Sequence, residues 1–255
     1  MYSELCEKLF EQNANNYMAV FNELDKHFDT LVWGEKFMPY NEKIKAIWQG
    51  TESSALFVKK YEAKLKYFWE LRNHIAHGFK LDGKHYAIPS YHAVDELRKI
   101  QEAISKPVTC GSVFTKSVYS CLVTDTLKEV MQSMKNFNYT HVPVYNEHHI
   151  FQWVLTQSTI CEWLTQHLQD AKESLDAITI GSIDLTMGSE RYALVEESKP
   201  LFSVPAMFEP TGLNQKRLGV LIMTEHGNVE EPLTGIITTF DLPIITDYNF
   251  VEKFS

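Results

Sequence analysis

An internal repeat in the second part of the chain constrains the fold more than any other feature. The stretch "THVPVYNEHHIFQWVLTQST" (140–159) matches "LGVLIMTEHGNVEEPLTGIITTFD" (218–241), so that Thr156 corresponds to Thr238, 82 residues later. In each copy, short runs rich in β-branched residues alternate with helical patterns in the order β-α-β-β-α. A single copy is too small to bury both faces of its sheet. We therefore expect the two copies to pack against each other.

The first 105 residues show helical periodicity instead. The pattern predicts a long helix from about Thr51 to His77, with Thr51 or Ser53 as its N-cap and Gly78 as its C-cap. Its apolar residues recur at spacings of three and four: Phe57, Tyr61, Leu65, Phe68, Leu71 and Ile75. Four further helices are predicted, in "YSELCEKLFEQ", "NYMAVFNELDKHFDTLVWG", "NEKIKAIWQG" and "SYHAVDELRKIQEAIS", the last capped by Ser90.

These patterns predict an α+β protein with two domains. Residues 1–105 form an all-α helical bundle, and residues 106–255 form the pair of β-α-β-β-α repeats. The first copy covers about 108–170 and the second about 178–250. The segment "SKPVTCGS" (105–112), with its proline and glycine, is predicted to be a linker.

Charge is distributed unevenly between the two parts. The chain has a net charge of −9, of which residues 1–105 contribute −1 and residues 106–255 contribute −8. The acidic second part is therefore a poor non-specific binder of nucleic acid. The lysines of "KIK" (43–45) and "VKKYEAKLK" (58–66) form either a solvated helix face or local contacts to a phosphate backbone.

The compartment is predicted from the cysteines and the hydropathy. The four cysteines are scattered without CxxC spacing, and no apolar run approaches the ~20 residues that cross a bilayer. The N-terminal sequence lacks the layout of a signal peptide. We therefore expect a cytoplasmic protein with reduced thiols and no membrane association.

Three pieces of the repeat resemble the CBS-domain pair, the tandem module first described in cystathionine β-synthase. "TLKEVMQSM" resembles the helix after the first strand, "HVPVYN" resembles the second strand, and "GIITTFD" (235–241) matches the G-h-h-T-x-x-D ending. The resemblance implies that an adenine nucleotide binds between the copies and regulates the attached domain. AMP, ADP, ATP and a cyclic dinucleotide all remain open as the ligand, and no cofactor or metal is expected.

The same resemblance implies the ligand-binding residues. Thr238 and Asp241 would hold the ribose hydroxyls, while Ile183 and Val220 would flank the base. A carboxylate can accept two hydroxyl hydrogen bonds, which suits this role. The alternative for Asp241 is that it only caps the helix that begins at "LPII".

The first copy departs from the pattern. It keeps Thr156, which the resemblance adds to the predicted ligand-binding residues, but Trp153 stands at the glycine position and Thr159 at the aspartate position. A threonine supplies no carboxylate to a ribose. We therefore expect one usable site around the second copy and a degenerate one around the first.

The stretch "ELRNHIAHG" (70–78) raises a separate question. Arg72, Asn73 and His77 fill an R-N-x-x-x-H motif that resembles the HEPN superfamily, and many members of that superfamily are metal-independent endoribonucleases that act as dimers. His77 would shuttle protons, its place near a helix C-terminus favouring the charged form, and Arg72 would clamp the phosphate. Asn73 lies four residues before His77 and shares its face. Arg72 and His77 lie about 140° apart around an ideal helix. We therefore expect them to converge poorly within one straight helix and better across a homodimer.

Two other interpretations of this stretch remain open. In the first, Arg72 pairs with Glu70 or another surface acid, Asn73 bonds backbone and His77 only caps the helix. In the second, His74 and His77 ligate a metal with His85, although no carboxylate or cysteine completes the set.

The sequence therefore leaves two functional hypotheses. The first is an adenine-nucleotide sensor whose CBS pair gates a HEPN-like, RNA-cleaving homodimer. The second is a non-catalytic sensor or scaffold whose helical domain dimerises or binds a protein partner.

Overall fold

The computed structural model describes residues 2–32, 37–78, 80–81, 84–85, 87–167, 177–183, 190–209 and 217–247. The chain divides into two compact units. The first comprises Met1–Val108, Pro200–Ser203 and Ile245–Ser255, and the second comprises Thr109–Lys199 and Val204–Ile244. Helices build the first unit, and helices with two three-stranded sheets build the second. The fold class is α+β, as the sequence predicts.

The helical unit is built around one apolar core. Its helices are α1 (Tyr2–Leu31), α2 (Tyr40–Trp48), α3 (Ser53–His77) and α4 (Tyr91–Ser105). Between α3 and α4, the two-residue strands β1 (Lys80–Leu81) and β2 (Lys84–His85) pair antiparallel. The core takes its largest fully buried side chains from α1, α3 and α4: Tyr17, Phe21, Leu24, Phe28, Phe57, Phe68, Leu65, Ile75, Leu97 and Ile100.

Two predicted helices are in fact one. The sequence pattern predicts one helix in "YSELCEKLFEQ" and another in "NYMAVFNELDKHFDTLVWG", but α1 runs without a break for 30 residues. The asparagines between the two patterns do not interrupt it, because Ala14 and Tyr17 continue the buried face while Asn15 and Asn16 remain exposed. Tertiary burial outweighs the weak helix propensity of asparagine here.

The ends of α3 differ in detail from the prediction. Its N-cap is Glu52, not Thr51 or Ser53, and the cap makes no side-chain hydrogen bond. Gly78 is the C-cap, and its N–H donates to the carbonyl oxygen of His74 at 3.0 Å. Its φ of −66° is open to any residue. Glycine is required instead because a Cβ would collide with the His74 carbonyl oxygen.

The second unit contains the predicted repeat, apart from residues 200–203 and those from 245 onward, which belong to the first unit. The elements of the first copy are β3 (Cys121–Leu122), α6 (Leu127–Phe137), β4 (His141–Tyr145), β5 (Phe151–Thr156) and α7 (Gln157–His167). Those of the second copy are β6 (Glu190–Glu196), α8 (Val204–Phe208), β7 (Arg217–Thr224), β8 (Leu233–Thr238) and α9 (Leu242–Asp247). In each copy the first strand is parallel to the second, and the second is antiparallel to the third.

The segment predicted to be a linker, 105–112, contains the boundary between the two units after Val108, but its end is helical. Helix α5 (Cys110–Phe114) has Thr109 as its N-cap, and the side chain of Thr109 accepts a hydrogen bond from the Ser112 N–H. The segment "VTCGSV" (108–113) repeats as "ITIGSI" (178–183), 70 residues later, and this similarity extends the internal repeat beyond the two stretches from which it was predicted.

Each of these two segments precedes one copy in the chain and forms backbone hydrogen bonds with the other copy. Gly111 N–H donates to the carbonyl oxygen of Glu197 in the second copy at 2.9 Å. Gly181 N–H donates to the carbonyl oxygen of Val123 in the first copy at 2.8 Å. Each copy therefore completes the backbone hydrogen bonding of the other.

The two sheets also pack against each other. Phe151 and Val154 of β5 form a buried cluster with Val220 and Ile222 of β7. The ring of Phe151 meets that of Tyr192 edge-on, with centroids 5.3 Å apart. The expectation that two copies are needed to bury both sheets is met by this contact.

Candidate functional site

Thr238 and Asp241 meet where β8 ends. The backbone N–H and the side-chain hydroxyl of Thr238 both donate to Asp241 Oδ2, at 2.7 and 2.9 Å. The two residues form a capping box that starts the 3₁₀ turn Thr239–Asp241, which leads directly into α9. The alternative of a capping role is therefore real, but Thr238 is the N-cap and Asp241 is the third residue after it.

Capping uses only one of the two carboxylate oxygens of Asp241. Among the residues that the structure describes, Oδ1 makes no hydrogen bond, and the side chain is only partly buried. A carboxylate held in place through one oxygen can present the other to a hydroxyl group. The capping box thus positions a charged acceptor at the edge of the sheet.

In the first copy, the corresponding residues Thr156 and Thr159 are buried and hydrogen-bond to each other. Thr156 and Thr159 join their hydroxyl groups at 2.9 Å, and Thr156 Oγ1 also accepts the Thr159 N–H at 3.0 Å. They are only 7% and 6% exposed. The same three-residue spacing therefore gives a neutral, buried hydrogen bond in one copy and a partly exposed carboxylate in the other.

Ile183 and Val220 are not brought together. Ile183 is 3% exposed and belongs to the core of the first copy, whereas Val220 is 1% exposed and belongs to the cluster between the sheets. Val220 does lie directly opposite Thr238 in the register of β7 and β8. Neither side chain offers surface to a base in this structure, and their predicted role as base-flanking residues stays a prediction.

The glycine of the "GIITTFD" motif has a packing reason. A Cβ on Gly235 would overlap the carbonyl oxygen of Phe114 and the methyl group of Met223. Thr115, next to α5, forms an antiparallel bridge with Gly235. This contact therefore requires glycine here. At the equivalent position of the first copy Trp153 is partly buried, and the residues that would correspond to Thr115 lie outside the described part of the chain.

Arg72 and His77 are in contact within one helix. Arg72 Nη1 lies 3.3 Å from His77 Nε2 and donates to Asn73 Oδ1 at 3.2 Å. The expectation that Arg72 and His77 converge poorly is wrong, because the long arginine side chain spans the angle between the two positions. Arg72 therefore brings all three motif residues together.

The contact also fixes the hydrogen-bonding roles. A guanidinium group only donates, so His77 Nε2 is the acceptor in this arrangement. His77 is exposed, whereas Arg72 and Asn73 are partly buried. Arg72 Nε is buried and has no hydrogen-bond partner among the described residues. A fixed cation beside an exposed imidazole is suited to an anionic ligand.

The structure adds no support for the two other interpretations of this stretch, a purely structural role and a metal site. Arg72 contacts Asn73 and His77, and within the described residues it makes no ion pair with Glu70. No group of three His, Cys, Asp or Glu side chains that could hold a metal occurs in the part of the chain that is described, and the side chain of His85 lies outside that part. No described helix is long and apolar enough to span a membrane.

Comparison with known families supports the resemblance of the first copy. Residues 110–164 match the family model for the CBS domain. No curated protein matches the chain. The HEPN-like character of the helical unit stays a prediction.

Solved structures show weaker likeness. A CBS domain of a membrane protein from Sphaerobacter thermophilus is 17% identical, with a TM-score of 0.41 over 59% of this chain and 96% of that one. The CBS domain of a bacterial CNNM/CorC family Mg²⁺ transporter, solved with ATP, is 18% identical, with a TM-score of 0.37 over 60% and 93%. A CBS domain pair solved with 5′-methylthioadenosine and S-adenosyl-L-methionine is 15% identical, with a TM-score of 0.38 over 55% and 97%.

Proposed function

We propose that residues 106–255 form a CBS pair that senses an adenine nucleotide, with Thr238 and Asp241 as its ribose-binding residues. The observation that carries the proposal is the geometry of Asp241. One carboxylate oxygen is held by Thr238, and the other is available to a ribose hydroxyl. The match of residues 110–164 to the CBS domain supports the choice of ligand class. AMP, ADP, ATP and a cyclic dinucleotide are the candidates.

The site is single in this proposal. At the position of the first copy that corresponds to Thr238 and Asp241, the buried hydrogen bond between Thr156 and Thr159 provides no carboxylate and no exposed hydroxyl group. The ligand would signal to the helical domain, residues 1–105, along the chain itself. The chain passes between the two compact units after residues 108, 199, 203 and 244, the last of these only three residues beyond Asp241. A coupling of about 1–3 kcal/mol is typical of such regulation.

Calorimetric titration with each nucleotide tests the sensor. Asp241→Asn is the informative variant, because an amide keeps one acceptor for the Thr238 cap but replaces the second acceptor by a donor. We expect Asp241→Asn to lose at least about tenfold in affinity while its melting temperature stays near that of the wild type. Thr159→Ala is the matched control at the equivalent position and should bind like the wild type. Absence of binding by wild type to every candidate nucleotide would remove the proposal.

A second candidate function is RNA cleavage by the helical domain, favoured by the contact between Arg72 and His77. An RNA phosphate would attract the Arg72 guanidinium and release His77 Nε2. The imidazole would then take the proton of the 2′-hydroxyl group as its oxygen attacks phosphorus. The bond from phosphorus to the 5′-oxygen breaks, and the leaving oxygen takes a proton from the His77 side chain of a second copy in a homodimer, which enters the step protonated, as an imidazolium, and leaves it neutral. Arg72 would stabilise the developing charge.

Cleavage of a labelled RNA, with and without adenine nucleotide, tests this second function. We expect His77→Ala to lower the rate at least about 100-fold, since general acid–base catalysis is worth that much. His74→Ala is the matched control, because His74 is equally exposed on the same helical turn but is not in the Arg72 contact. Equal loss in both variants, or no cleavage by wild type under any condition, would leave the non-catalytic sensor.

A further inference from the structure

A cavity of about 350 Å³ lies between α2 and α3 of the helical unit. This volume is within the range of small-molecule sites. The lining side chains that matter for its chemistry come from both helices: Asn41, Ile44 and Lys45 from α2, and Glu62, Lys66 and Trp69 from α3. The function proposed above uses none of them.

The lysines of the two basic segments separate into two groups. Lys43 is buried against Asp25 and Asp29, and Lys64 pairs with Glu96 at 2.6 Å. Lys59 and Lys60 lie over aromatic rings, those of Trp48 and Tyr61 respectively. These four ammonium groups are therefore already engaged by the protein.

Lys45 and Lys66 remain, and both line the cavity. Each is exposed, and neither makes an ion pair with any residue that the structure describes. Glu62 in the same lining offsets one of the two positive charges. The lining keeps a net positive charge in a chain whose total charge is −9, which favours an anionic ligand.

Trp69 gives the cavity an aromatic surface. Its side chain packs against the apolar core of the helical unit and is only partly buried there, and it makes no ring–ring contact with another described side chain. Bases of single-stranded nucleic acid stack on such rings, and nearby lysines contact the phosphates. Asn41 adds an exposed amide that can hydrogen-bond a base edge.

The cavity residues of α3 and the Arg72–His77 motif lie along the same face of the helix. Glu62, Lys66, Trp69 and Asn73 follow one another at spacings of four, three and four residues, so they form a single stripe along α3. Asn73 lies about 10 Å further along the helix axis than Lys66, at a rise of 1.5 Å per residue. A chain that passes Trp69 therefore reaches the residues that contact Arg72.

We propose that this cavity binds one nucleotide of a single-stranded RNA, with the base on Trp69 and a phosphate between Lys45 and Lys66, next to the Arg72–His77 motif. The proposal rests on the second candidate function and names its substrate-binding subsite. A free mononucleotide has the same base and phosphate, so the test separates the two sources.

Binding is measured by fluorescence anisotropy of a labelled ten-nucleotide RNA on full-length His77→Ala protein, at several salt concentrations. In that background, Lys45→Gln with Lys66→Gln should weaken binding about tenfold or more and reduce the slope of log Kd against log[salt] by about 0.7, the value for one phosphate. Trp69→Leu should weaken it about tenfold with little change in slope. Lys59→Gln with Lys60→Gln removes the same charge from the same unit and should leave both quantities close to the reference.

Several results would overturn the proposal. They are absence of RNA binding, equal weakening by the cavity pair and the control pair, and displacement of the RNA by AMP at the affinity of the RNA itself, which would indicate a mononucleotide site. Failure of the catalytic proposal is read separately, from cleavage by the wild type. If RNA binds through the cavity but is not cleaved, the proposed binding site stands and the catalytic proposal fails. If RNA is cleaved and the cavity variants have an unchanged KM, the catalytic motif stands and the proposed binding site fails.

Discussion

Substitutions at Lys43 and Asp25 test which charge determines the loss of stability when an ion pair is broken, the buried one or the exposed one. Its side chain is 2% exposed, and Nζ lies 2.6 Å from Asp25 Oδ1 and 2.7 Å from Asp29 Oδ1. The two carboxylates are far more exposed, at 34% and 56%. The group between α1 and α2 therefore consists of one desolvated cation and two anions that water can reach.

The two ways of breaking the group should differ in cost. Asp25→Asn leaves the buried ammonium with the more exposed Asp29 alone, so we expect a loss of about 1–3 kcal/mol in the free energy of unfolding. Lys43→Met fills the same space with an apolar side chain and leaves the carboxylates to water. Its expected cost is no more than about 1 kcal/mol. Lys64→Met, which breaks a half-exposed pair, should cost about 0–1 kcal/mol.

Urea unfolding followed by circular dichroism measures these differences, and 1 kcal/mol corresponds to roughly 2–4 °C in Tm for a chain of this size. A larger loss for Lys43→Met than for Asp25→Asn would refute the reasoning, because the cost would then lie in the missing attraction and not in the stranded charge.

The stability that the Lys43 ion pairs provide should depend on pH in the alkaline range. Burial by itself lowers the pKa of Lys43, but the hydrogen bonds to Asp25 and Asp29 outweigh it, so the pKa lies above its ordinary value of 10.5. The stabilisation is therefore fully present below pH 10.5 and is lost as the pH rises through the higher pKa of the folded state. The stability difference between wild type and Lys43→Met should shift against the wild type above that pH.

Three further predictions concern the packing and the thiols. Gly235→Ala should lower stability by about 1–3 kcal/mol in a denaturant melt, since its Cβ would overlap the Phe114 carbonyl oxygen, and an unchanged melt would contradict the close approach. Gly78→Ala should lower the melting temperature too and slow any RNA cleavage, since its Cβ would push on the carbonyl oxygen four residues earlier. Burial raises the pKa of the Cys110 thiol to about 12, whereas Cys161 is exposed, so peptide mapping after iodoacetamide at pH 8 should find Cys161 modified and Cys110 protected until the protein is unfolded.

Local patterns predicted the elements that depend on neighbouring residues. The stripe of α3, the Ser90 cap of α4 and the order of strands and helices along both copies could be predicted, because periodicity and capping are set by residues a few positions apart. The unbroken α1 was not readable, since only burial against distant helices decides whether a run of asparagines interrupts a helix.

The candidate sites divide along the same line. The sequence placed Arg72, Asn73 and His77 within two turns of one helix, but an ideal-helix angle ignores how far an arginine side chain reaches, so the contact between Arg72 and His77 was not predicted. The sequence likewise marked Asp241 for capping or for ligand binding without showing that one oxygen can serve each role. Whether a side-chain atom is engaged depends on distances that spacing alone does not give.

By itself, the sequence determined that this protein has a helical part and a duplicated β-α-β-β-α part, because hydrophobic periodicity and internal similarity are properties of the chain alone. Only the tertiary structure decided which of its similar residues are available. Lys43 is buried and ion-paired, whereas Lys45 lines a cavity. The hydroxyl group of Thr159 is buried in a hydrogen bond, whereas Asp241 keeps one carboxylate oxygen without a hydrogen bond among the described residues. The physical reason is that burial and pairing are set by neighbours that are distant in sequence, and these neighbours come together only when the chain folds.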